Sequence, residues 1–572
     1  METIPLRSKP KKNTKWLFSF SILFVMITGI LLYIYYPFAS TKKTTYVSGE
    51  YPILIQGAIH GNAIRSDKNT FIPLETVKDQ IDNSIYEESN SIIITTKLKV
   101  IQIPINQNTI YVNAKAEKLS HPMLKVVAGK KYLALDMLKS IYPIQYHLTN
   151  KTNVVWIEKL GEKYYNGKIT SKKARKAYLR LRQNNDLQSP YVAEVGKGEA
   201  VHIERVMKDY YFVRTLQGIG GYIKKEYVIK EGQKQVHFPF QAETVRLLPI
   251  SKPIHLSWEA VYIKTPDPSQ LPAMPGVNAV SPTWFRLKNA NGDISNLLST
   301  DYIKWAKQHH MQVWGLFSNS FDPDLTKAAF SKFENRQKII RKLVTIANKE
   351  NLDGINIDIE NVRPEDGPLV TQFVREASAN LHANHKYVSM DITFIAKGNW
   401  SEFYEREKLG KMVDYLIVMA YDEHWGTSPI AGSVASLPWV ETNLQSILKL
   451  VPNDKLILGV PFYTRLWKEE WKNGQLKTTS KTLSMDQANE WMKKHKVKIQ
   501  LDSKSEQHYV EYSDSKSNIT YKMWLEDEYS LAKRAEIAGH YQLAGIASWA
   551  RSFGNAQGWV SLQSTLSAYK NK

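Results

Sequence analysis

The 572-residue sequence contains no cysteine. That excludes a disulfide scaffold, a thiolate metal site and a cysteine nucleophile. Acidic residues are in deficit: 55 Asp and Glu stand against 76 Lys and Arg, a formal net charge of +21. A surface of this sign attracts polyanions such as nucleic acid, anionic lipid or anionic wall polymers. No nucleic-acid-binding motif is present, so no nucleic-acid partner is expected. Ligand spacing for a metal is also missing, because His309, His310 and His424 have no partners at recognisable intervals. No metal and no cofactor are expected. A hydrophobic fraction of 43% and a charged fraction of 23% exclude a disordered chain. The length calls for more than one domain.

Long apolar runs are scarce, and the first is at the N-terminus. Leu17–Tyr36 is uncharged and follows Arg7, Lys9, Lys11, Lys12 and Lys15. A bilayer-crossing helix needs about 20 apolar residues. The run therefore predicts a single-pass signal-anchor over 16–38, with a cytoplasmic basic segment over 1–15. The positive-inside rule puts residues from about 40 onward outside the cell membrane. A cleaved signal has an apolar core of about 7–15 residues and a small-residue cleavage site. Pro37 and Ala39 make a poor one, so secretion to the wall or spore after cleavage is the alternative.

Residues 47–159 read as an α+β module with an internal repeat. Phe71-Ile-Pro-Leu-Glu-Thr-Val-Lys is a strand end followed by a helix start, and Tyr132-Leu-Ala-Leu-Asp-Met-Leu-Lys repeats it. Each copy precedes a β-branched run, Ile92-Ile-Ile-Thr-Thr and Val154-Val-Trp-Ile. The pairing resembles the module named after the N-terminal domain of copper amine oxidases. The name implies no copper here, since no histidines cluster. Residues 160–182 carry Lys163, Lys168, Lys172, Lys173, Arg175, Lys176, Arg180 and Arg182 against Glu162 alone. They read as a basic linker or exposed helix. Short alternating strands with Gly turns follow to about 235, in an order that resembles a bacterial SH3-like β-barrel, a frequent peptidoglycan-binding module.

From 251 to 572, strands alternate with helices. The strands begin at Ile254, Val277, Val313, Ile355, Tyr387, Tyr415, Leu456 and Gly545. Eight βα units predict an α/β fold, a (β/α)8 TIM barrel. The stretch of about 467–541, between the seventh and eighth strands, exceeds a normal crossover and predicts a small α+β insertion. Its helix is capped by Ser484 with Gln487 three residues on.

The fourth strand carries the chemistry. Alternate residues of a strand share a face, so Asn356, Asp358 and Glu360 point one way and Ile355, Ile357 and Ile359 the other. The polar set would line the barrel and rise to its C-terminal mouth, where barrel active sites sit. Carboxylates so close cannot both ionise cheaply. Glu360, nearest the mouth, is the natural proton donor. Asp358 raises its pKa, and Asn356 positions Asp358 without a third charge.

Asp353-Gly-x-Asn-x-Asp-x-Glu360 resembles the signature of glycoside hydrolase family 18, with Asn356 where many members have Asp. Met419-Ala-Tyr-Asp422 is similar to the family's Met-x-Tyr-Asp, and Trp549 stands where the family has the floor of the cleaved-sugar subsite. The resemblance implies a retaining hydrolase in which the substrate's own 2-acetamido group is the nucleophile. It implies that Glu360 is acid and base, and that Asp358 and Tyr421 orient the acetamide. Asp353, Asn356, Met419, Asp422 and Trp549 are implied as support. Ala420-Tyr-Asp-Glu-His-Trp425 and Ala435-Ser-Leu-Pro-Trp-Val-Glu441 resemble the spore-cortex N-acetylglucosaminidase branch. The expected substrate is therefore peptidoglycan, cleaved after N-acetylglucosamine, with anionic wall polymers as further partners. A chitinase, a lectin-like glycan-binding wall protein and a structural wall anchor are the alternatives. The last would leave the carboxylate ladder unexplained.

Overall fold

The computed structural model describes residues 14–35, 38–66, 68–170, 175–514 and 517–570. The basic residues Arg7, Lys9, Lys11 and Lys12, and Lys172 and Lys173 of the expected linker, lie outside them. The apolar N-terminal run forms a helix, Thr14–Tyr35. Among the described residues, however, no helix is long and apolar enough to cross a membrane. Ser19, Ser21 and Thr28 interrupt the run, and Thr28 Oγ1 donates to the Phe24 carbonyl at 2.6 Å. This overturns the single-pass anchor over 16–38 and the membrane location drawn from it.

The chain divides into two compact units. One comprises residues 1–83, 105–108 and 120–242; the other comprises 84–104, 109–119 and 243–572.

In the first unit, the two repeats form as the sequence predicts. Strand Asn69–Pro73 runs into helix Leu74–Gln80, and strand Lys130–Ala134 into helix Leu135–Ile141. The two strands pair with each other, Leu133 opposite Ile72. Residues 163–235 contribute a seven-stranded antiparallel sheet. The expected basic linker is partly inside it. Lys163–Ile169 is a strand, and Arg182 is buried with its guanidinium on the Ser189 and Ala177 carbonyls at 2.6 and 3.0 Å. Net basic composition misled because strand and linker lysines look alike when alternate positions face water.

The second unit is built on eight parallel strands: β1 (Ile254–Glu259), β2 (Ala279–Pro282), β3 (Gln312–Ser318), β4 (Gly354–Asp358), β5 (Tyr387–Thr393), β6 (Tyr415–Met419), β7 (Leu456–Pro461) and β8 (Gly545–Trp549). Each pairs with the next, and β8 closes on β1 with Gly545 beside Ile254. A Cβ at Gly545 would overlap the Ile254 carbonyl, so only glycine lets the seam close. Both faces of a parallel sheet are covered, hence the continuous apolar runs of these strands. Ile254, Leu256, Trp314, Leu316, Ile417 and Ala547 fill the interior, where Trp314 stacks on Tyr387 and Tyr415 at 5.3 and 6.0 Å. Ile355, Ile357 and Ile359 pack outward with Phe373 and Val374 in the helix layer.

Residues 86–118 form a five-stranded antiparallel sheet of this same unit. Ile93 and Val100 of that sheet meet Phe333 and Ala379 of the barrel helices Phe333–Lys349 and Gly367–His382. Arg336, fully buried, joins Glu88 of the sheet at 2.8 Å to Glu376 at 2.9 Å. The second copy of the sequence repeat thus stays with the first unit, while the β-branched run Ser91–Thr95 serves the barrel.

The insertion after β7 is a five-stranded antiparallel sheet spanning residues 463–524, plus helix Met485–His495. Its Ser484–Gln487 capping box is formed as the sequence predicts. The long hairpin Tyr463–Lys472/Gln475–Ser484 turns at Asn473-Gly474, both at positive φ. An Asn-Gly turn of this kind matches strand twist and was a legible signal for strands whose charged sequence hid them.

Candidate active site

β4 delivers its ladder to the barrel interior as alternation requires. Asn356, fully buried, sits at the centre of a polar network. Its Oδ1 accepts from Trp258 Nε1 at 3.0 Å and Ser281 Oγ at 2.9 Å, and its Nδ2 donates to Asp391 Oδ1 at 2.9 Å. A carboxylate at 356 could not make that last bond without a proton. Asparagine therefore bridges β1, β2 and β5 and leaves the acid function to Asp391.

Asp391 was missed in the sequence. It lies on β5, where Ser389 and Asp391 alternate with the outward Val388, Met390 and Ile392. Two polar residues in i, i+2 relation on an apolar barrel strand were the signal. Asp391 is buried, and its pKa is raised by burial first and then by Asp358.

Asp358 is 8% exposed, and its Oδ1 has no hydrogen-bond partner among the described residues. Burial pushes its pKa up to about 7. Glu360 follows the end of β4 and is only half-buried as a residue. Its pKa is raised well above the usual carboxylate range by burial, then by Asp358, then by Asp422. These carboxyls titrate as a set. Burial and like charge both oppose ionisation of its members.

The Glu360 backbone is clamped. Its N–H donates to Asn319 Oδ1 at 3.1 Å and its carbonyl accepts from Asn319 Nδ2 at 2.7 Å. Tyr404 OH donates to the Ile359 carbonyl at 2.8 Å. Neither Asn319 nor Tyr404 carries a motif that marks it in the sequence.

The other expected residues divide. Met419 ends β6, and Tyr421 follows within the barrel mouth, packing against both core clusters. Its ring meets that of Tyr463 edge-on at 6.3 Å. Asp422 accepts from Tyr463 OH at 2.7 Å and Arg465 Nη2 at 2.8 Å, both on the insertion hairpin. The insertion thereby reaches the mouth and holds Asp422. Trp549 ends β8 with its ring 5.9 Å from Trp258. Asp353 is not brought to the site. It precedes β4, where it pairs with Lys307 and accepts from the Val313 N–H at 2.7 Å. Seven residues of extended chain, about 23 Å, separate it from Glu360. Its place at the strand start makes it a fastener of β3 to β4.

The family model of glycosyl hydrolases family 18 matches residues 281–554. The uncharacterized glycosylase YvbX of Bacillus subtilis (strain 168) is 30% identical over 301 residues, covering 50% of this chain and 84% of that protein. The chain belongs to family 18 of the glycosyl hydrolases. The cortical fragment-lytic enzyme of Bacillus anthracis is 24% identical over 254 residues, 43% of this chain and 57% of that enzyme. Among solved structures, a chitinase from Chromobacterium violaceum matches at 20% identity with a TM-score of 0.49, over 55% of this chain and 98% of that one. The copper amine oxidase N-terminal domain model matches residues 58–157. The family 18 barrel makes this protein a glycoside hydrolase, and the Asp353–Glu360 segment ends on the clamped Glu360, whose pKa is raised by burial and neighbouring carboxyls.

Proposed function

We propose that the barrel cleaves the β-1,4 bond after N-acetylglucosamine in peptidoglycan glycan strands, with retention of configuration. The observation that carries this is the placing of Asp358 at the end of β4 and Glu360 two residues beyond it, both raised in pKa. A conventional retaining pair would flank the scissile bond from two sides, about 5–5.5 Å apart. Two carboxyls two residues apart at the end of β4 suit a different division of labour. Glu360 donates its proton to the leaving glycosidic oxygen. The substrate's acetamide oxygen attacks the anomeric carbon and forms an oxazolinium ion. Asp358, with one oxygen free of protein partners, takes the acetamide N–H and holds it for attack. Tyr421 polarises the same group and Trp549 floors the sugar. Glu360, now a base, activates the water that reopens the ring.

Peptidoglycan is favoured over chitin by the relatives whose names record lysis of cortical fragments. The sheet of residues 163–235, read as an SH3-like module, fits contact with the same polymer. Digesting purified peptidoglycan and chitin with the protein, and sequencing the released ends by mass spectrometry, tests the reading. New N-acetylglucosamine reducing ends from peptidoglycan are expected. Turnover of chitin oligosaccharides alone would replace the reading with a chitinase, and turnover of neither with a lectin.

A further inference from the structure

The first unit contains a cleft of about 350 Å³, within the range of small-molecule sites, about 300–1,000 Å³. Three chain segments line it, each with a ring and a carboxylate. Trp156 and Glu158, Glu162 and Tyr164, and His202 and Glu204 are each two residues apart. On strand Val155–Lys159 alternation puts Trp156 and Glu158 on the cleft side. Glu162 enters the cleft from just before strand Lys163–Ile169, and an irregularity between Ile203 and Arg205 leaves Glu204 lining it together with His202. The rings are in contact: Tyr164 stacks on His202 at 4.0 Å, and His202 meets Trp156 at 5.4 Å. Each carboxylate is aimed by a donor. Gln145 Nε2 reaches Glu158 at 2.8 Å, the Lys159 N–H reaches Glu162 at 3.2 Å, and Arg214 grips Glu204 through two nitrogens. Those bonds leave lone pairs on the carboxylates free to accept from a ligand.

Packing alone does not call for this pattern. The core of the seven-stranded sheet is made by the opposite residues, among them Val201 and Ile203. Of the three acids, Glu204 is paired from behind by Arg214, and Lys163 and Arg205 stand in the lining beside the other two, so the cleft is rich in both donors and acceptors. A pyranose fits: its C–H face packs on aromatic rings, and its hydroxyls donate to carboxylates in charge-assisted bonds. We propose that this cleft is a second saccharide-binding site, which holds a segment of the glycan chain while the barrel cuts elsewhere on the same polymer. The choice of polymer, though not the saccharide chemistry, rests on the reading of the barrel above.

Two sites on one polymer raise retention by avidity without altering either affinity. The test uses the full chain carrying Glu360→Gln, which leaves the glycan intact, mixed with insoluble peptidoglycan and with chitin beads. Adding Tyr164→Ala or Glu158→Ala should weaken retention on at least one polymer about tenfold or more. Tyr164→Phe keeps the ring and should keep retention. In chains with Glu360 intact, the same substitutions should leave kcat/KM on a soluble tetrasaccharide unchanged, so failure of the barrel reading shows separately. The proposal is overturned if Tyr164→Ala and Glu158→Ala, with unchanged circular dichroism and Tm, leave retention on both polymers as it was. Equal loss in Tyr164→Phe and Tyr164→Ala would contradict stacking and overturn it too.

Discussion

Replacing Asp358 with Asn removes one of the three causes that raise the Glu360 pKa. Burial remains, and so does Asp422; the charge at 358 goes. Residues i and i+2 of a strand lie about 6.6 Å apart. At an effective dielectric constant of about 20, two unit charges at that distance repel by about 2.5 kcal/mol. One pKa unit corresponds to about 1.36 kcal/mol, so the substitution should lower the Glu360 pKa by between one and two units. The profile of kcat/KM against pH reports the free enzyme's essential groups. Its basic limb, where the acid is lost, should move down by that amount, and the plateau should fall because the acetamide loses its acceptor. The assay is release of reducing ends from a soluble N-acetylated tetrasaccharide between pH 4 and 9. A basic limb that stays in place while the plateau falls would refute the electrostatic role of Asp358.

The same substitution bears on stability with a definite sign. The folded pKa of Asp358 is raised from 3.8 to about 7, so between those values the folded state binds the extra proton and stability falls as pH rises. Asp358→Asn removes that loss. The Tm difference between variant and wild type, by calorimetry, should be more positive at pH 8 than at pH 4. Asn319→Ala frees the Glu360 backbone. Misplacement of about 1 Å costs on the order of 10²-fold in rate, so kcat of the folded protein should drop by tens-fold or more, beside a stability loss of about 1–3 kcal/mol from the unpaired groups; an unchanged kcat would deny the clamp a positioning role. Arg336→Met strands the buried Glu376 carboxylate and should cost about 3–5 kcal/mol in urea unfolding. A loss below 1 kcal/mol would mean that the buried Arg336–Glu376 pair does not fasten helices Phe333–Lys349 and Gly367–His382.

Much of the barrel was legible because parallel strands buried on both faces must be apolar, and eight such runs spaced by helices allow few other folds. The β4 ladder stood out for the complementary reason, since polar side chains in a barrel interior are costly unless they hydrogen-bond and act. Asp391 escaped because its strand reads as apolar until the two faces are separated. Asn319 and Tyr404 act through backbone contacts that depend on where loops fold back, which no local pattern encodes. Assignment of residues 86–118 to the barrel was hidden because strand sequences state that a face is buried but not against what. Asp353, expected only as support, fastens the start of the strand through Lys307 and the Val313 N–H. The N-terminal run was read as an anchor from its lack of charge. Hydroxyl side chains within it weighed too little in that reading.

The central claim is that the substrate supplies its own nucleophile. Two soluble oligosaccharides that differ only in the N-acetyl group of the sugar donated at the cleaved bond test it most directly. Initial rates and the anomeric configuration of the product are followed by proton NMR. The wild-type protein should cleave the N-acetylated form with retained configuration and leave the glucosamine form uncut, while Glu360→Gln should lose about 10²–10⁴-fold on the former. Comparable cleavage of both forms by the wild type would contradict the account and require a second enzyme carboxylate as nucleophile.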